Sequence, residues 1–218
     1  RDVLIDWGDG SSETNVGYTS LIYHTYPSGG VYQISIYGSI RLYYGAGYDN
    51  EKVTDIIQWG SYEHNNLANS FEDCINLIGT FTDAPVVNPA VNLSCHSTFA
   101  NCTLFTGVNM GNWDMSRLYD SNYMFRNCVN FNTDIGSWDL SNLTTMTYML
   151  SGCSIFNQDL GSWNTPLVWN MGHLFSYTTV FNQDLSGWCV PLIGSEPSNF
   201  ALSSALTSPN KPVWGTCP

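Results

Sequence analysis

Asp134, Asp159 and Asp184 stand at equal intervals along the chain, and carboxylates repeated at a fixed interval could share a Ca²⁺ ion or face a polar ligand. The opposing force is small: at about 5 Å in water two such charges repel by only about 0.8 kcal/mol. Each Asp could equally accept a backbone N–H within its own turn, and that is the reading adopted, with no resident cofactor expected and Ca²⁺ at this column as the alternative. Asp6 and Asp9, in the segment DWGDG, are open to the same two readings. The four histidines, at 24, 64, 96 and 173, show neither HExxH spacing nor a nucleophile elbow. A glycosidase would need two carboxylates held several ångströms apart beside a cleft, and nothing in the spacing selects such a pair. No catalytic residue is expected, and the chain is read as a non-enzyme.

Composition narrows the partners. Six Lys and Arg against eighteen Asp and Glu give a net charge of −12, which repels a phosphate backbone and an anionic membrane surface alike. No apolar run approaches the roughly 18 residues of a membrane span. Nucleic acid and direct membrane insertion are therefore excluded as expectations. The chain opens at Arg1 with residues that already read as a strand, so the expectation is a processed or fragmentary start. Seven Cys are an odd number, so at least one stays unpaired within the chain or pairs outside it.

These residues are positioned by an internal repeat. Trp113, Trp138, Trp163 and Trp188 recur at one fixed interval, in step with Phe131, Phe156 and Phe181 and with Asn132, Asn157 and Asn182; Cys102, Cys128 and Cys153 keep nearly the same interval beside them. One unit holds too few apolar residues to close a core alone, so its large side chains must bury against those of the next unit. A solenoid follows, with the Trp, Phe and Cys columns as its core. Within each unit a short strand is expected at Phe-Asn-x-Asp, then a turn through Gly-Ser-Trp, then a helical or 3₁₀ turn along Met-x-x-Met, where Met146 and Met149 stand three apart. The unit length, about 25 residues, and the element order lie within the range of leucine-rich repeats.

The units FNTDIGSWDLSNLTTMTYMLSGC and FNQDLGSWNTPLVWNMGHLF closely resemble the BspA-like leucine-rich-repeat surface proteins, whose repeats read FNQDLSxWDxSNVTxMxxMFxxC. TDIIQWG at Thr54 looks like the lead-in of that family, and NKPVWGTCP at Asn210 like a common terminal segment. At the other end, VLIDWGDGS and HTYPSGGVYQISIYG resemble the two conserved segments of a PKD-like extracellular β-sandwich, here incomplete. The fold class expected is mainly β: a short, incomplete PKD-like sandwich at 1–48, a leucine-rich-repeat-like solenoid with short helical or 3₁₀ turns at 49–190, and a C-terminal cap at 191–218. The resemblance implies a secreted or surface-displayed protein used in adhesion or recognition, binding a protein or glycan on a surface. The competing expectation is a structural subunit of a virion or extracellular filament, with copies of itself as partners.

An oxidising setting bears on the cysteines. Cys189 and Cys217 bracket a Pro- and Ser-rich tail, and a disulfide between them would clamp that tail over the open end of the solenoid. The column Cys102, Cys128 and Cys153 is expected as buried free thiols packing like small apolar groups. Tyr119, Tyr123, Tyr148, Trp169 and Tyr177 lie near the repeat columns and form the candidate ligand face. Three N-glycosylation sequons, at Asn92, Asn101 and Asn142, complete the set of motifs.

Overall fold

The computed structural model describes residues 3–14, 22, 24–37, 50–61 and 63–218. The chain divides into two compact units, Arg1–Leu42 and Tyr43–Pro218. The expected boundary between 48 and 49 lies outside the described residues, and the expected cap at 191–218 falls inside the second unit. Among the described residues there is no α-helix; the regular elements are seven strands of two or three residues and three 3₁₀ turns, at Asn50–Lys52, Met110–Asn112 and Ser208–Asn210. No described helix is long and apolar enough to cross a membrane.

In the first unit, strands β1 (Leu4–Asp6), β2 (Ser12–Thr14) and β3 (Ser35–Tyr37) form an antiparallel sheet in the order β2-β1-β3. Val3 and Ile5 alternate into the interior. The β1–β2 connection closes with the Trp7 amide donating to the Ser11 carbonyl at 3.1 Å. Gly8 must be glycine there: its φ is +77°, and a Cβ would run into the Gln33 carbonyl oxygen.

The second unit is a stack of chain turns, each bonded to the equivalent turn one repeat further on. Strands β4 (Glu63–His64) and β5 (Val86–Val87) pair in parallel, as do β6 (Leu93–Ser94) and β7 (Leu118–Asp120). The β6–β7 column continues as single bridges, Asp120 to Thr145 and Thr145 to Asn170. Beyond it the backbone follows one rule. Tyr123, Phe125 and Asn127 donate to the carbonyls of Thr147, Met149 and Ser151 in the next turn, at 2.9, 3.0 and 2.7 Å, while the intervening Met124, Arg126 and Cys128 donate three residues back. Successive turns repeat the scheme, from Asn69, Phe71 and Asp73 through to His173, Phe175 and Tyr177.

Two expectations about local structure are corrected here. Of the two alternatives for the Met-x-x-Met segment the helical one is overturned: its i→i−3 bonds are those of single 3₁₀-type turns, and left-handed residues four apart, such as Tyr123 with Asn127 and Tyr148 with Gly152, stop any helix from propagating. The strand expected at Phe-Asn-x-Asp is also absent. Asn side chains take the acceptor role there, Asn132 Oδ1 receiving the Asn157 amide at 2.9 Å and Asn157 Oδ1 the Asn182 amide at 3.2 Å. Backbone pairing moves instead to the β6–β7 column.

The columns pack as side-chain ladders. Phe131 stacks on Phe156 at 5.7 Å between ring centroids and Phe156 on Phe181 at 5.9 Å. Three of the buried indoles are satisfied by the preceding turn: Trp138, Trp163 and Trp188 Nε1 donate to the carbonyls of Met110, Ile135 and Leu160 at 2.8, 3.0 and 2.7 Å, whereas the buried Trp113 and Trp59 Nε1 meet no acceptor among the described residues. Those carbonyls also accept the backbone amides of Trp113, Trp138 and Trp163, so both lone pairs are used. Gly111 and Gly161 keep the turns close, since a Cβ there would lie 2.7 Å from the Asp134 carbonyl oxygen and 3.0 Å from that of Asp184.

The indole bond and ring volume predict that Trp163→Phe destabilises the protein by about 2 kcal/mol, through one lost hydrogen bond and a small cavity. Urea unfolding measures it, with the exposed Trp169→Phe as the control that leaves the midpoint unchanged.

Candidate functional site

The aligned carboxylates are turn anchors. Asp134 and Asp159 Oδ1 accept the amides of Gly136 and Gly161, and Asp184 Oδ1 that of Ser186, at 2.9, 2.8 and 2.9 Å. The Ser186 hydroxyl and amide hold the Asp184 carboxyl below its ordinary value. In the first unit Asp6 Oδ1 accepts the Gly8 amide, while Asp9 takes the Ser11 amide and hydroxyl on one oxygen and faces His24 Nε2 at 2.8 Å with the other. His24 in turn stacks on Trp7 at 4.7 Å. Among the described residues no three His, Cys, Asp or Glu side chains converge as metal ligands.

The residues proposed from sequence as a ligand face fall into two kinds. Tyr123 and Tyr148 belong to a ring ladder with two histidines that sequence reading did not single out: His96, Tyr123, Tyr148 and His173 follow one another at 5.5, 5.0 and 4.2 Å. His173 was legible in principle, lying one full repeat after Tyr148. Tyr123, Tyr148 and His173 hold φ of +59°, +58° and +58°, a strain of about 1 kcal/mol for each side chain bearing a Cβ. Tyr123–Tyr148 and Tyr148–His173 stack within 9° of parallel, so their facing ring surfaces are spent on each other. The Arg126 guanidinium lies 5.8 and 5.9 Å from the two Tyr rings, and His173 Nε2 meets the Asn199 amide at 3.3 Å. Tyr119, Trp169 and Tyr177 differ: they are 40%, 62% and 54% exposed, and no described ring stacks on them. The repeat tryptophans at 113, 138, 163 and 188 are 4% exposed or less.

The cysteines separate as their spacing does. Cys189 and Cys217 form a disulfide that ties the tail back, next to a Val190 amide to Thr216 carbonyl bond at 2.8 Å. Cys102, Cys128 and Cys153 are buried free thiols, each donating to the Phe71, Phe99 or Phe125 carbonyl of the preceding turn. Burial pushes all three thiols up, as it pushes Cys74 and Cys95 up to about 12, which removes them from nucleophilic chemistry. Of the sequons, Asn101 is built into a side-chain ladder between Asp73 and Asn127 and has left-handed φ, whereas Asn92 and Asn142 are exposed.

A protein-family model described as "Mycoplasma protein of unknown function, DUF285" matches residues 93–211, more than half of the chain. No curated protein and no solved structure matches it.

Two outcomes are expected. Alkylation of the native protein leaves five thiols unmodified until it is unfolded, and a non-reduced digest links Cys189 to Cys217; reducing that bridge costs about 2–4 kcal/mol of stability. The Asp9 carboxyl, lowered from 3.8 to about 2 mainly by its Ser11 hydrogen bonds, contributes stability that is present above its unfolded value and lost as pH falls through about 2. Carboxyl NMR titration should give that midpoint; one near the ordinary value contradicts the turn geometry.

Proposed function

The chain belongs to the DUF285 family, and from that premise we propose that it is a recognition module displayed outside the cell, binding a protein or glycan on a surface rather than catalysing a reaction. The matched segment contains the FNQDL and SNLTTM motifs, which supports reading the stacked turns as a BspA-like solenoid of the leucine-rich-repeat type. The three-stranded sheet with its Asp-anchored DWGDG turn is compatible with a PKD-like unit. The disulfide agrees with an oxidising compartment.

One observation carries the reading. The array buries four tryptophans in its core yet holds Trp169 62% exposed, flanked by Leu167 and, one turn on, Leu192, both also exposed. Nothing in the core requires a large apolar side chain there, and exposed aromatic clusters of this kind mark interaction surfaces.

A second reading, a structural subunit that assembles with its own copies, has its own support. Asn199, Ala201 and Ser203 occupy the positions whose amides donate forward in every earlier turn, and these three amides make no hydrogen bond to a described residue. Such an unfilled row is what strand addition from another chain uses.

Binding of the purified chain to cells, matrix proteins and a glycan array tests the first reading. Binding to at least one surface is expected, weakened about tenfold or more by Trp169→Ala with the unfolding midpoint unchanged. Absence of all binding, together with self-association in light scattering, would turn the conclusion to the subunit.

A further inference from the structure

A shallow depression of about 280 Å³ opens on the second unit, lined by Asn92, Ser116, Arg117, Asp139 and Asn142. It spans three consecutive turns. Asn92, Arg117 and Asn142 occupy the same column one turn apart, and the following two turns place Leu167 and Leu192 in that column, so the polar cluster is local.

The hydrogen-bonding capacity of this cluster is only partly used. Asn142 donates its amide to the Ser116 carbonyl at 2.7 Å, which leaves its Oδ1 unengaged. Asp139 Oδ1 accepts the Ser141 amide at 2.9 Å, which leaves Oδ2. The Ser141 hydroxyl and amide hold this carboxyl below its ordinary value, so it is an acceptor at neutral pH. The Arg117 guanidinium and the Asn92 amide make no ion pair or hydrogen bond with a described residue. Donors and acceptors therefore meet in one depression, on turns spaced about 4.7–4.9 Å apart.

That combination restricts the ligand. A free anion would use Arg117 but meet the Asp139 carboxylate, on a chain of net charge −12. A cation would meet the guanidinium. An apolar side chain finds no wall, because every lining residue is polar. A ring carrying several hydroxyls, each able to donate and accept, satisfies both sets at once. The volume lies just below the usual range of small-molecule sites, which fits one or two sugar units and not a buried cofactor.

We propose that this depression binds a neutral saccharide unit, with Arg117 and the Asn92 amide donating to, and Asp139 Oδ2 and Asn142 Oδ1 accepting from, neighbouring hydroxyls. This names the ligand class for the recognition reading and rests on it, but uses residues separate from Trp169.

The test uses the full chain produced without N-glycans, since Asn92 and Asn142 are themselves sequons. Neutral hexoses and N-acetylhexosamines are screened by saturation-transfer NMR and then titrated. Saturable binding is expected for at least one sugar, with a Kd of about 1 mM as is usual for so few contacts. Arg117→Ala and Asp139→Asn should each weaken it about tenfold or more, with the unfolding midpoint and the Trp169-dependent surface binding unchanged. The proposal is overturned if no neutral sugar binds, or if both variants bind as the parent does. Surface binding that persists in that case, or is directed only at proteins, leaves the recognition reading standing; loss of both removes both.

Discussion

The second unit depends on a division of labour among its backbone amides. In the segment after the β6–β7 column, alternate N–H groups reach forward to the next turn while those between them reach back three residues. In the turns at 97–102, 123–128, 148–153 and 173–178 all are satisfied without a helix or an extended strand, which a buried backbone requires. The scheme demands left-handed backbone at two positions four residues apart, and the pairs 69/73, 97/101, 123/127, 148/152, 173/177 and 199/203 supply it. Only one of these twelve residues is Gly; Asn and Asp, which tolerate that conformation, hold five. Where Tyr123, Tyr148 and His173 stand instead, stacking in the ring ladder offsets their strain.

Once the backbone fixes the interval, side chains in one column face one another, and their chemistry follows. The buried indoles of Trp138, Trp163 and Trp188 need an acceptor, and the second lone pair of a carbonyl one turn earlier provides it. A buried thiol behaves the same way, bonding a Phe carbonyl of the turn before. Turn caps accommodate much of the negative charge, which is how aspartates at 114, 134, 139, 159 and 184 are all used. A strongly acidic chain can therefore stack closely, because these five carboxylates are each held by a local N–H group.

The period was legible in the sequence because buried columns tolerate little substitution: a Trp or Phe repeated once per turn reports burial directly. The sequence was less informative where the backbone alone makes the bonds. The last turn lacks the Trp and Phe signals, yet Phe175 and Tyr177 donate to Phe200 and Leu202, and Thr207 takes the place of Asn in donating its amide to Asn182 Oδ1. Spacing of three at Met146 and Met149 fits both a helix and a series of β-turns, and only the left-handed Tyr148 and Gly152 distinguish the two. The Asn column was visible, but its role as a side-chain substitute for a strand was not, since asparagine in a turn usually bonds within its own segment.

The same logic locates function better than the repeated columns do. A column that must pack or close a turn repeats its residue; a column facing solvent is free to change from one turn to the next. The solvent-facing column 119, 144, 169, 194 runs Tyr, Thr, Trp, Gly, and its neighbour 92, 117, 142, 167, 192 runs Asn, Arg, Asn, Leu, Leu. Against a backbone that repeats nearly without variation, these are the positions where composition is not set by stacking. The repeated residues that could do chemistry, the aspartates and the cysteines, are consumed by the fold. Breaks in the period lead instead to Trp169 and to the Arg117–Asp139 depression, because there the array leaves side-chain capacity unspent.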